Sequence, residues 1–234
     1  MNDQPPPHTG GNTLETEPVS TTLSRLRARA RDDWKTMLKF TPFFFKLMLS
    51  GKSMAKAVPP SKFKDVYMPV SPKEGEFLYI IARATGARRV VEFGSSFGIS
   101  TIYLAAAIKD NGGSSMVTTE IEPSKCRATE QALRDAGLSS FVQILEGDAC
   151  RTLASVDGPI DLLFLDGWKD LYLPIFDLLY PKLRKGATIV ADNVRFPDAR
   201  PYVERVRRGA PDLTSVTLFN GKLEVSCLTG DRAD

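Results

Sequence analysis

Leu23, Leu26, Ala30, Trp34 and Met37 recur at three- and four-residue spacing, which predicts an amphipathic helix over 22–40. Thr41 as N-cap and Pro42 as first helical residue then predict a second helix, Phe43 to Leu49, that stops near Gly51. Pro59, Pro60 and Pro69 break the next stretch, so 52–71 reads as a connector. From Pro72 the pattern changes. A helix over 72–85 gathers Phe77, Leu78, Ile81 and Ala82 on one side, and short β-rich runs succeed it at regular spacing: 89–93, 115–120, 141–146, 160–165 and 187–191. Helical segments at 98–109, 123–136, 149–156 and 171–183 lie between them. The runs at 160–165 and 187–191 are almost continuously apolar, as expected of strands covered on both faces. A short helix at about 200–208 and two strands, 214–218 and 222–228, close the chain. The last pair flanks Asn220-Gly221, a tight-turn dipeptide, and predicts a β-hairpin on the sheet edge.

This alternation predicts an α/β fold built on a doubly wound, parallel sheet. Residues 1–20, opening on the polar Pro/Gly-rich MNDQPPPHTGGNT, read as a disordered tail. Residues 21–65 read as a helical lid or dimer segment whose Phe43, Phe44, Phe45 and Met48 cover a pocket of the following domain, and 66–234 as that α/β domain.

Composition narrows the chemistry. The chain of 234 residues has a single histidine, His8, within the tail. A Ser-His-Asp triad, a Cys-His pair and the histidine-based zinc sites therefore cannot be assembled within one chain. Any general base must be Lys, Asp, Glu, Tyr or Cys, and any metal must be held mainly by oxygen. Cys126, Cys150 and Cys227 are widely spaced and odd in number, which predicts buried free thiols and a reducing, cytoplasmic compartment. The first 20 residues carry no apolar core of a signal peptide. The apolar cluster from Met37 to Leu49 is interrupted by Lys39 and Lys46 and is shorter than the ~20 residues of a spanning helix. The formal net charge is +3, but residues 21–65 alone hold eleven Lys/Arg against three Asp. The excess is thus an N-terminal attachment, and the nearly neutral remainder predicts no nucleic-acid partner. A basic membrane-surface helix is the second reading of that segment.

Ligands of doubly wound sheets sit at the carboxyl ends of the strands. After the first strand comes VVEFGSSFGIS, with Glu92, Gly94 and Gly98 leading into a helix whose N-terminus offers free amides. A dinucleotide fingerprint would need a glycine where Ser96 stands, which counts against an oxidoreductase, and an acid in this turn suits an amino group better than a pyrophosphate. The plainer alternative is an ordinary strand–turn–helix glycine pair. After the second strand, Glu120 is placed to accept ribose hydroxyls, or to stand as a solvated helix-start acid. After the third, Asp148 either faces an adenine amino group or caps the next helix. After the fourth comes LDGWKD, with Asp166 and Lys169, and after the fifth ADNV, with Asp192 and Asn193. Two carboxylates and an amide from neighbouring strand ends form a donor set for Mg²⁺, Mn²⁺ or Ca²⁺.

Together these residues resemble class I S-adenosylmethionine-dependent methyltransferases, and more narrowly the metal-dependent catechol and caffeoyl-CoA O-methyltransferases. The resemblance covers about 66–228, from YMPVSPKEGEFLYIIARATGARRVVEFG through LDGWKD and ADNV, the most specific matches, to NGKLEVS. It implies a seven-stranded Rossmann-like sheet of order 3-2-1-4-5-7-6 with the last strand antiparallel. It implies S-adenosyl-L-methionine held at its methionine end by Glu92, Gly94, Gly98 and Ser100, helped by Val70 and Ser71, with Asp166 also among the cofactor-binding residues. Glu120 and Ile121 would hold the ribose, and Asp148, Ala149 and Trp168 would frame the adenine. Asp166, Asp192 and Asn193 would bind Mg²⁺. Lys169 would be the general base and Glu224 the acid beside the substrate hydroxyls, with Phe196 and Pro197 walling the acceptor pocket. The activity implied is methyl transfer to a vicinal diol, first a catechol-type small molecule and alternatively a sugar or natural-product hydroxyl. Caffeoyl-CoA-like members imply a homodimer. The rivals are a metal-free methyltransferase and a non-catalytic cofactor-binding module.

Overall fold

The computed structural model describes residues 11–32, 69–113, 115–208 and 212–230. Residues 33–40 of the first expected helix, the second helix expected at 43–49, residues 52–68 of the connector and His8 lie outside the described residues. Seven strands, β1 (Arg89–Phe93), β2 (Ser115–Glu120), β3 (Val142–Glu146), β4 (Ile160–Leu165), β5 (Leu183–Ala191), β6 (Leu213–Leu218) and β7 (Leu223–Leu228), form one sheet of order β3-β2-β1-β4-β5-β7-β6. The first five pair in parallel, and β7 runs antiparallel between β5 and β6. The expected order and the antiparallel last strand are both found.

Alternation along the strands sorts the core into two layers. Val90, Leu162, Phe164 and Val190 face α1 (Glu17–Asp32), α2 (Pro72–Ala84), α3 (Ile99–Asp110) and α4 (Pro123–Asp135). Val91, Phe93, Leu163, Leu165 and Ile189 face α5 (Ala149–Thr152), α6 (Tyr172–Leu179) and α7 (Arg200–Arg208). The Ala-rich α3 is apolar almost all round and nearly every residue in it is buried. Such a helix needs cover on its outer side, and α1 and α2 provide it.

The structure departs from the sequence reading at several points; Cys150 and Cys227 are half-buried rather than buried, and the helix expected over 149–156 passes into a 3₁₀ turn at Leu153. Residues 12–20, expected as tail, include a 3₁₀ turn at Thr13–Glu15 and the start of α1. Val19, Leu23 and Leu26 of α1 enter the core, Thr13 hydrogen-bonds Asp110, and Arg25 pairs with Asp135. Burial of three aliphatic side chains at about 1.5–3 kcal/mol each explains why this segment folds onto the domain. The helix expected over 171–183 is broken into α6 and a 3₁₀ turn at Tyr180–Lys182, where Pro181 cannot continue the ladder, and β5 starts at Leu183. The hairpin exists, but Leu218 pairs with Leu223, so its connection has four residues rather than two. Phe219, Asn220 and Gly221 all take left-handed φ, at 51°, 55° and 89°.

Candidate active site

The carboxyl ends of β1, β2, β4 and β5 meet at one rim. Gly94 turns the chain out of β1 with φ of 98°. A Cβ there would lie 2.8 Å from the Gly167 amide nitrogen and 2.9 Å from the Asp166 carbonyl carbon, so only glycine lets the β1 and β4 ends pass this closely. The Asp166 amide completes the contact by donating to the Phe93 carbonyl at 2.9 Å. A cleft beside this turn is lined by Val70, Gly94, Ser100 and Asp166 of the expected cofactor set, together with Pro69, Ser95, Ser96 and Phe97. Ser71, on the same approach, is the N-cap of α2 and forms a capping box with Glu74.

Glu92 lies beneath that turn, fully buried. Its carboxylate accepts from the Ser100, Thr101 and Thr118 hydroxyls at 2.6, 2.6 and 2.7 Å. Burial pushes its pKa up, and the three hydroxyls pull against that shift. These contacts tie β1 to β2 and to the first turn of α3. Glu120 accepts from the backbone amides of Ser96, Ile121 and Glu122 at 3.0, 2.9 and 3.0 Å, which fixes a carboxylate beside the cleft. Asp148 is the N-cap of α5, accepting from Cys150 N at 2.9 Å, with Ala149 buried behind it. Ile121 is exposed and Trp168 half-buried at the same rim.

The densest chemistry is at the ends of β4 and β5. The Lys169 ammonium donates to Asp166 Oδ1 at 3.2 Å, to the Gly167 carbonyl at 3.0 Å and to the Tyr172 hydroxyl at 2.7 Å. Tyr172 donates in turn to the Asp192 carbonyl at 2.9 Å. Edge-on packing of the Tyr172 ring against Phe93 and Tyr202, with centroids 6.3 and 5.8 Å away, holds it in place. Asn193, at a left-handed φ of 57°, donates its backbone amide to Asp192 Oδ1 at 2.7 Å and its side-chain amide to Oδ2 at 2.8 Å. Lys222, from the β6–β7 turn, lies 3.5 Å from Asp192 Oδ1 and 2.7 Å from Glu74 Oε1.

Burial pushes Asp166 and Asp192 above the ordinary carboxylate range; Lys169 pulls Asp166 down, while Asp192 pushes it further up. Lys222 and Lys169 pull Asp192 down. Two carboxylates held together in a dry place are stabilised by positive charge, so the donor set fits a hard divalent cation in kind. Among the described residues no group of three or more His, Cys, Asp or Glu gathers as a metal cage. A cation here would therefore take two carboxylates and the Asn193 amide oxygen, leaving other positions to water or substrate.

Glu224, expected among these groups, is committed elsewhere. In β7 it pairs with Ala191 and Thr217, is fully buried, and accepts from Arg207 Nε at 2.7 Å, Arg207 Nη2 at 2.6 Å and Thr217 at 2.8 Å. The antiparallel register turns its carboxylate toward α7. Phe196 is 45% exposed and Pro197 opens the 3₁₀ turn Pro197–Ala199, just beyond Asn193. Tyr172, Glu74 and Lys222 were not singled out from sequence. Tyr172 alone left a signal there, three residues after Lys169.

Known proteins share both the sequence pattern and the fold. Residues 91–194 match the family described as a methyltransferase domain. The chain is 34% identical over 152 residues to a catechol O-methyltransferase of Niastella koreensis, covering 63% of this chain and 65% of that protein. It is 37% identical over 126 residues to a catechol O-methyltransferase of Mycobacterium tuberculosis, covering 53% and 56%. The chain thus spans less than two thirds of the length of either relative. The structure of the O-methyltransferase TomG from Streptomyces achromogenes, involved in tomaymycin synthesis and in complex with S-adenosylmethionine (SAM), superposes with a TM-score of 0.63. Its identity is 28%, over 78% of this chain and 90% of that one. Over residues 91–194 the chain resembles a methyltransferase domain, and its sheet has the Rossmann-like methyltransferase fold. Its resemblance to class I S-adenosylmethionine-dependent O-methyltransferases of the catechol and caffeoyl-CoA type is borne out.

Proposed function

We propose that this chain transfers a methyl group from S-adenosyl-L-methionine to one hydroxyl of a small-molecule vicinal diol, in the first place a catechol. The observation that carries this reading is that Asp166 lines the cleft beside the β1 turn and also pairs with Lys169. Cofactor and acceptor would then meet at a single carboxylate. Glu92, Gly94, Gly98 and Ser100, helped by Val70 and Ser71, surround the methionine end, Glu120 and Ile121 the ribose, and Asp148, Ala149 and Trp168 the adenine. Phe196 and Pro197 wall the acceptor side.

Asp166, Asp192 and Asn193 would hold Mg²⁺, or Mn²⁺ or Ca²⁺ in its place; bound there, the ion supplies Lewis-acid stabilisation of the phenolate. Lys169 in its neutral form takes the hydroxyl proton. The ammonium so formed has three acceptors waiting in Asp166, the Gly167 carbonyl and Tyr172. Methyl transfer is an in-line displacement, and holding both reactants in line can supply about 7–11 kcal/mol of the acceleration.

The partner is the small molecule itself. Among the described residues no helix is long and apolar enough to cross a membrane. Cytoplasmic placement is supported by the free cysteines, and a homodimer is the assembly to look for by light scattering. The deciding experiment incubates the full chain with S-adenosyl-L-methionine and Mg²⁺ against catechols, phenylpropanoids and sugars, read by mass gain. Methylated catechols are expected, with activity lost in EDTA and restored by Mg²⁺. Methylation of sugars alone would move the acceptor class, and NADH binding without any methyl transfer would overturn the reading.

A further inference from the structure

Lys222 lies 148 residues along the chain from Glu74, yet its ammonium sits 2.7 and 2.8 Å from the two Glu74 carboxylate oxygens and 3.5 Å from Asp192 Oδ1. Both acids are nearly inaccessible to solvent, at 4% and 2% exposure. The backbone beneath the lysine is pinned. The Lys222 amide donates to the Leu218 carbonyl at 3.1 Å, and its carbonyl accepts from the Val194 amide at 3.0 Å, one residue beyond Asn193. The Phe77 and Phe219 rings meet edge-on at 5.6 Å and fasten α2 to the same turn. The rim therefore carries a built-in positive charge at one of the two carboxylates of the candidate cation site.

We propose that Lys222 sets the affinity of the Asp166–Asp192–Asn193 group for a divalent cation, by occupying one side of the Asp192 carboxylate while Glu74 holds it partly away. This rests on the reading of that group as a cation site. A dication at Asp192 meets a like charge that cannot retreat far. Glu74 decides how strongly Lys222 competes, because it offers the ammonium two closer oxygens. Ser71 fixes Glu74, its amide donating to Glu74 Oε2 at 2.7 Å, so the balance is anchored in the first turn of α2.

The two flanking substitutions should act in opposite directions. Lys222→Met keeps an unbranched side chain of similar length and removes its charge, and Mn²⁺ should bind about tenfold tighter or more. Glu74→Gln keeps the capping box and releases the ammonium toward Asp192, and Mn²⁺ should bind several-fold weaker. Lys222→Arg, which keeps the charge, should stay near wild type. The full chain is titrated with Mn²⁺ alone, reading free Mn²⁺ by electron paramagnetic resonance, and each variant's fold is checked by its thermal melt. Equal or weaker binding by a folded Lys222→Met overturns the proposal. If that variant does not fold, equal or tighter binding by Glu74→Gln overturns it. Failure of the cation reading looks different: Asp192→Asn would then bind Mn²⁺ as well as wild type, or none of the proteins would bind it.

Discussion

The Lys169 ammonium reaches the Tyr172 hydroxyl at 2.7 Å, and that hydroxyl reaches the Asp192 carbonyl at 2.9 Å. One phenol thus ties the end of β4 to the end of β5 and orients the lysine between them. Tyr172→Phe keeps the ring packing and removes the link. It should lower kcat about tenfold while KM for S-adenosyl-L-methionine stays within about twofold. The unpaired Asp192 carbonyl should cost about 1–3 kcal/mol of stability. Steady-state kinetics and urea melts check both; an unchanged kcat would remove Tyr172 from the positioning of Lys169.

Lys169→Met should lower kcat by about 10²–10⁴-fold, the usual weight of a general base. Cofactor affinity, measured by calorimetry, should be retained, since Lys169 faces Asp166 and Tyr172 rather than the β1 turn. Wild-type turnover in this variant would end the base assignment.

Glu224 and Arg207 make the contrasting case. The Glu224 carboxylate is fully buried and Arg207 is its charge partner, with the guanidinium side 45% exposed. Arg207→Met should destabilise the fold by about 2–4 kcal/mol, because it leaves a buried carboxylate short of its partner. Below the melting temperature the methyl-transfer rate should be near wild type. A large loss of kcat with unchanged stability would restore Glu224 to the chemistry.

Asp161 predicts an acid limb. Burial raises its pKa, but Arg184 and the backbone amides of Arg88 and Arg89, both amides at 2.7 Å, outweigh that and hold it below the ordinary carboxylate range. A depressed folded value means that the stabilisation is fully present above the unfolded value of about 3.9 and is lost as pH falls through the lower folded one. The stability gap between wild type and Asp161→Asn should therefore be constant from pH 5 to 7 and shrink below about pH 4. Denaturant melts across that range measure it, and a gap that widens in acid would contradict the assignment.

Much of this architecture was legible because it is written locally. The apolar runs ending at Asp166 and Asp192 carried their own strand character, and the glycine turn after β1 carried its offsets. β5 starts earlier than its apolar run because Arg184, Lys185 and Gly186 lie where the β4 pairing is irregular, between Ile160 and Leu162. The four-residue hairpin turn was hidden because Phe219, an aromatic residue, takes a left-handed conformation that composition argues against. Lys222 and Glu74 were invisible for a different reason. Their encounter is made by the antiparallel return of β7 and the placement of α2, and no spacing along the chain encodes it. Glu224 was misassigned because strand residues alternate between faces, and motif likeness does not say which face a residue takes.

The burial of α1 separates two units that residue numbers alone would merge. The methyltransferase match spans residues 91–194, yet Val19, Leu23, Leu26 and Leu78 belong to the same core as Val90 and Leu162, and β7 closes the sheet beside β5. The stretch that relatives share is therefore smaller than the stretch that must fold cooperatively. A fragment trimmed to the matched span would bare one side of α3 and leave β5 as an open sheet edge. Such a fragment would be an aggregation hazard, and any transplant of this rim into another protein has to carry the N-terminal helix and the closing hairpin with it.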